Sequence, residues 1–200
     1  MKSFFRIVVS VLVVTTFIGA AAAAAQNRMR RGETYEREYD PKYNRDLDPR
    51  YNRSLNPDYS RSLNPLYNRD LDPRYNASIN PERNRSLNPK YERTLNPMRN
   101  RLLSPMHDKR LHPLRNDWTG YFSYGLEAEF TGMMARAGVK EGVFNLFDPV
   151  GEYIGFTVPA GNRGHNVFDL EANWTGYLRS DGSKGYNLFD LEGVWRGYLR

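Results

Sequence analysis

"YNLFDLEGVWRGYLR", residues 186–200, has two near copies upstream: "HNVFDLEANWTGYLR" at 165–179 and "FNLFDPVGEYIGFTV" at 144–158. The copies stand 21 residues apart. Each opens with a short Asn–apolar–Phe run that ends at Asp148, Asp169 or Asp190. An Asp at the start of a turn accepts hydrogen bonds from nearby backbone N–H groups. Then follows aromatic–x–Gly–aromatic–apolar, whose period-two alternation is that of a half-buried strand. Each copy therefore reads as a β-hairpin. "PAGNRG" and "SDGSKG", between the copies, are turn chemistry. A weaker copy, "YGLEAEFTGMM", puts Tyr124, Phe130 and Gly132 in the same order, and "WTGYF" at 118–122 echoes the second half of a unit.

Gly155, Gly176 and Gly197 recur inside the second strand. Glycine weakens a strand, so its recurrence needs a reason, and the expectation is that an aromatic ring lies on the bare backbone. Alternation sets Trp174 and Trp195 on the face of these glycines and Tyr177 and Tyr198 on the other. The fold class expected for 115–200 is mainly β: four hairpin repeats, about eight short strands, radial or up-and-down, which limits exposed edges. Units of the form Phe/Tyr-Asp-x-x-Gly-x-x-x-Gly-Tyr/Trp, about twenty residues apart, resemble the bacterial four-fold β-flower domain over residues 118–200. Two departures are Gly125, where the pattern has Asp, and Ala172, where it has the turn Gly. The resemblance implies a small radial β domain in a bacterial protein and brings no activity and no catalytic residue. Hairpin repeats of the MORN type have a similar period and stay open.

Upstream, the period changes to eight. Ten units align without a gap from "YEREYDPK" at 35–42 to "HDKRLHPL" at 107–114, with Pro at 41 and at every eighth residue up to 113. Leu or Ile fills the fifth place from Leu47 to Leu111, and Arg fills the third in all units but those of Ala77 and Lys109. So complete a self-similarity marks a repeat array. Pro at this spacing forbids a long helix or a central strand. The Asn or Asp before it suits a helix N-cap, with Pro at the next position. A unit can thus make about one helical turn, which does not meet its own nucleation cost in water. Ordering eight residues costs more entropy than burying one Leu and one Tyr returns, unless a partner covers the apolar face. The expectation for 35–114 is an extended or irregular, disordered array; a stacked solenoid is the alternative.

The remaining segments are a beginning and a balance of charge. Lys2 and Arg6 precede an uncharged run from Ile7 to Ala25, and Ala23–Ala25 before Gln26 fits a small-residue cleavage site. Residues 1–25 are expected to be a cleaved signal peptide, making the protein exported to periplasm, cell surface or medium. The alternative is a membrane anchor over 7–25, which Arg28, Arg30 and Arg31 favour by resisting export. Residues 26–34 form a basic linker. Residues 83–114 hold eight Lys or Arg against two Asp or Glu, whereas 115–200 hold eight against eleven. There is no Cys, so no disulfide stabilises any part. His107, His112 and His165 are too scattered to suggest a metal site.

Chemistry of catalysis is not legible. No G-x-S-x-G and no phosphate-cradling loop before a helix occurs. Asp148, Asp169 and Asp190 are read as turn formers, although equivalent carboxylates in a radial fold can converge on a cation. No cofactor and no enzyme activity are expected. The expected function is a non-enzymatic exported interaction protein, whose spacer displays a β module that binds protein or glycan. Trp174, Tyr177, Trp195, Tyr198 and Phe156 are the candidate surface. The rival is a polyanion-binding or envelope-structural protein, with contacts from Arg83, Arg85, Arg93, Arg99, Arg101, Lys109 and Arg110.

Overall fold

The three turn aspartates act as their position suggests. Asp148 Oδ1 accepts from the N–H groups of Val150 and Glu152, Asp169 Oδ1 from Asn173 and Asp190 Oδ1 from Val194. In the first hairpin Gly125 brings no carboxylate. There Glu129 folds back over Gly125 and accepts from the N–H of Glu127. The computed structural model describes residues 40–115, 118–138, 142–161 and 164–200. The expected signal peptide, the basic linker and most of the first octapeptide lie outside the described residues.

Eight antiparallel strands follow: β1 (Gly120–Tyr124), β2 (Phe130–Arg136), β3 (Phe144–Phe147), β4 (Tyr153–Pro159), β5 (Gly164–Asp169), β6 (Trp174–Ser180), β7 (Tyr186–Phe189) and β8 (Trp195–Leu199). Neighbours in sequence pair, and β1 pairs with β8, so the meander closes into a barrel. Every hairpin bulges at one place: the register shifts at Ser123/Tyr124, Leu146/Phe147, Val167/Phe168 and Leu188/Phe189. The extra residues, Thr131, Ile154, Thr175 and Arg196, all turn out into solvent. Bulges bend a strand and raise its twist, which helps a sheet close.

The strand glycines serve this closure, not the seating of a ring. A Cβ on Gly132, Gly155, Gly176 or Gly197 would stand 2.1, 2.3, 2.6 or 2.4 Å from the carbonyl oxygen of Phe147, Phe168, Phe189 or Tyr124. Each contact joins one hairpin to the next, and the last joins the fourth to the first. The indoles take a different post: Trp174 Nε1 donates to the Gly176 carbonyl and Trp195 Nε1 to that of Gly197.

Inside the barrel, side chains stack in levels. Tyr121, Phe144, His165 and Tyr186, one from each odd-numbered strand, form a cycle of edge-on rings with centroids 5.2–6.0 Å apart. Met134, Leu178 and Leu199 pack against this ring, followed by Leu146, Val167 and Leu188. Yet the opposite face of the strands is buried too. Phe156, Tyr177, Tyr198, Asn145, Asn166 and Asn187 point outward by register and are fully buried.

What covers them is the octapeptide array. Expected to be extended or irregular, it takes one conformation over and over. Single 3-10 turns span Arg45–Leu47, Arg53–Leu55, Arg69–Leu71, Ala77–Ile79, Arg85–Leu87, Arg93–Leu95 and Lys109–Leu111. The units at 61–63 and 101–103 bend at the same place, with Leu63 N–H donating to Ser60 and Leu103 N–H to Asn100. The second-place Asn caps its own turn and also reaches back six residues, as Asn52 Nδ2 does to the Asp46 carbonyl. The sixth-place Asn caps the next turn and reaches back seven, as Asn56 Nδ2 does to Pro49. These two amides stitch one unit to the next without helix or sheet. The fifth to seventh places lie toward the barrel, and Leu55, Ile79 and Leu103 are buried.

An octapeptide array gains order where a partner covers its apolar face, and here the barrel is that partner. Asn187, Asn166 and Asn145 donate to the carbonyls of Leu55, Ile79 and Leu103 at 3.1, 2.9 and 2.9 Å. Arg200 Nε and Arg179 Nε donate to those of Leu47 and Leu71 at 2.9 and 2.7 Å. The acceptors step forward by three octapeptides while the donors step back by one hairpin unit. The array thus winds around the barrel against the order of the strands, three units to each hairpin.

Candidate binding surface

The residues proposed for an aromatic binding face do not form an open surface. Phe156, Tyr177 and Tyr198 are 0% exposed beneath the array. Trp174 and Trp195 are half-buried at the hairpin turns, and Trp174 packs against the apolar cluster that contains Phe156, Phe168 and Ala172. Alternation set the tyrosines opposite the strand glycines, and there they lie; the bulges at Thr175 and Arg196 turn Trp174 and Trp195 not to the face of the glycines but to that same outer face, paired with Phe168 and Phe189. What the periodicity of one segment did not reveal is that another segment of the same chain lies on that face.

Beneath the array sit two polar clusters that no catalytic motif in the sequence announces. Asp72 is fully buried and takes a bidentate bond from Arg74, with contacts at 2.6–3.0 Å. Tyr177 lies beside this pair, and the Arg179 guanidinium stacks 4.7 Å from its ring centroid. Burial lowers the Arg179 pKa to about 10 and drives the Tyr177 hydroxyl above its usual range. The same set recurs one hairpin on as Asp48, Arg50, Tyr198 and Arg200, in which Arg200 also bonds Asp181. A third set, at the matching places, is Asn96, Met98, Phe156 and Val158, with Leu95 packed against the apolar cluster to which the last two belong. All four members have changed together, from charged or hydroxylated to amide and apolar. A visible signal existed: "YNRDLDPR" occurs twice, 24 residues apart, and "GYLR" twice, 21 apart.

The open surface is the outer side of the array. Tyr51, Tyr59, Tyr67, Tyr75 and Tyr91 are exposed, and each carries the guanidinium of the previous unit, from Arg45, Arg53, Arg61, Arg69 and Arg85, 4.7–5.4 Å from its ring centroid. Such stacking leaves the cation facing water on one side. The ladder breaks where Arg83, Arg99 and His107 replace the first-place Tyr. All seven candidate polyanion contacts are exposed: Arg83, Arg85, Arg93, Arg99, Arg101, Lys109 and Arg110. Arg85 is stacked and Arg110 is held by Asp108, whereas among the described residues no carboxylate pairs with Arg83, Arg93, Arg99 or Arg101. Asp148, Asp169 and Asp190 stay at their separate turns, and among the described residues no group of three His, Cys, Asp or Glu comes together.

The fold and surface thus define a closed antiparallel β-barrel girdled by a short-repeat ribbon. No family model matches the chain, and neither a curated protein nor a solved structure matches it. Among the described residues no helix is long and apolar enough to cross a membrane.

Proposed function

We propose that this chain is a non-enzymatic, exported interaction protein whose octapeptide belt makes the contacts and whose barrel holds the belt in shape. Its partner on this reading is polyanionic. The carrying observation is the exchange of roles between the two faces: Phe156, Tyr177 and Tyr198 are covered, while the seven candidate contacts among the eight Lys and Arg of 83–110 stand in solvent. A belt held by the barrel presents its charges at fixed spacing, which lowers the entropy lost on binding compared with a loose spacer. Export rests on Lys2, Arg6, the apolar run 7–25 and Ala23–Ala25. Four hairpins at near-equal spacing support the likeness to the four-fold β-flower domain, which adds no activity to the reading.

The test is binding to immobilised heparin and to duplex DNA at increasing salt. Counterion release makes affinity fall steeply with salt. Replacing Arg83, Arg93, Arg99 and Arg101 by Gln should flatten that slope by about four and cut affinity more than about tenfold at low salt. Salt-insensitive retention, or no loss in the variant, overturns the reading.

A further inference from the structure

We propose that the stretch from Met98 to Arg110 is a docking surface for an anionic lipid bilayer. The inference rests on the polyanion reading and names its partner. The fourth place of the octapeptide faces outward, and in the other units of the described array it is Asp, Ser, Thr or Arg. In the unit "RNRLLSPM" it is Leu102, which is 81% exposed. Met98 and Met106, at the eighth place of consecutive units, are 42% and 64% exposed. Leu103, Ser104 and Pro105 face the barrel instead. The fold has therefore sorted this segment into an inner face that packs and an outer one that carries three large apolar side chains. The Leu102 N–H is tied to Asn100 Oδ1, so the turn that displays it is held by its own cap.

Along the chain these residues are flanked by Arg93, Arg99, Arg101, Lys109 and Arg110, all exposed. The tyrosine ladder is missing here, because Arg99 and His107 stand in its places. A hydrated polyanion such as a nucleic acid or sulfated glycan uses the guanidinium groups but offers Leu102 and the methionines nothing to enter. A bilayer with anionic headgroups uses both: phosphates for the Arg, and the acyl boundary for the apolar tips. Charge and apolar exposure at one place thus select among polyanions.

The test uses the full chain with vesicles of phosphatidylcholine alone or mixed with phosphatidylglycerol. Binding to the mixed vesicles should exceed binding to the neutral ones more than about tenfold. Leu102→Ser should lose about tenfold on the mixed vesicles while leaving heparin binding unchanged. Leu102→Trp should shift its emission to the blue on the mixed vesicles and be quenched by brominated acyl chains. An unaltered affinity in Leu102→Ser together with an unshifted Leu102→Trp overturns the lipid assignment. Heparin binding without preference for anionic vesicles also overturns it and leaves the polyanion reading standing. Loss of both kinds of binding sinks the two together.

Discussion

His165 shows what one position of the repeat decides. It completes the ring of Tyr121, Phe144 and Tyr186 inside the barrel, edge-on to Phe144 and Tyr186 at 5.3 and 5.5 Å. Burial, then the positive charges of Arg179 and Arg136, push its pKa down to about 4. Native His165 is neutral, and the unfolded chain takes up a proton first. The stability it contributes is therefore complete above the ordinary His pKa of about 6.5 and lost as pH falls toward about 4. His165→Phe, which copies Phe144, should remove up to about 3 kcal/mol of acid destabilisation across that window. Thermal melts from pH 7 to about 4 check this against the parent; parallel profiles would refute it. The cycle was not legible from sequence. His165 reads only as one of three scattered histidines until the register sets it level with three aromatic rings. Ala172 is the converse case. Its departure from the turn Gly was plain in the sequence, and the backbone there keeps the left-handed conformation, with φ 62°, in spite of the side chain.

Among elements, the octapeptide and the hairpin are matched parts. Sixth-place Asn donates back to the previous unit; sixth-place Asp cannot, and at Asp48 and Asp72 it instead binds the Arg two residues on. That choice is coupled to the barrel, where Arg200 and Arg179 stand near these carboxylates and Val158 takes the matching place in the third set. Asp72→Asn with Arg74→Met should cost about 3 kcal/mol, because Arg179 is left buried without a carboxylate nearby. Adding Tyr177→Phe and Arg179→Val copies the third set entire and should return stability to within about 1 kcal/mol of the parent. Urea unfolding of the three proteins measures the coupling. Additive losses would mean that array and barrel do not share these clusters. The hairpins themselves were readable from their own residues, since Asp caps, alternation and turn glycines act locally. Why Gly recurs was not, because its contact is with the carbonyl of the next hairpin.

On the scale of the molecule, belt and barrel depend on one another. One turn per unit is too short to persist alone, and the outer barrel face would otherwise expose its Phe and Tyr rings and three buried Asn. In the intact chain the amide hydrogens of Leu55, Ile79 and Leu103 should exchange at least about a hundredfold more slowly than in a peptide spanning 35–114. Protease should likewise spare the array in the intact chain and cut the free peptide. Equal exchange in the two would separate the belt from the barrel.

Local chemistry written in the sequence determined the two periods, the capped turns, the hairpins and the run of basic residues, because each depends on neighbours within one unit. Which faces are covered was decided only in three dimensions. A period of eight and a period of 21 meet in register only when the ribbon is wound backward around the closed barrel, and neither period contains the other.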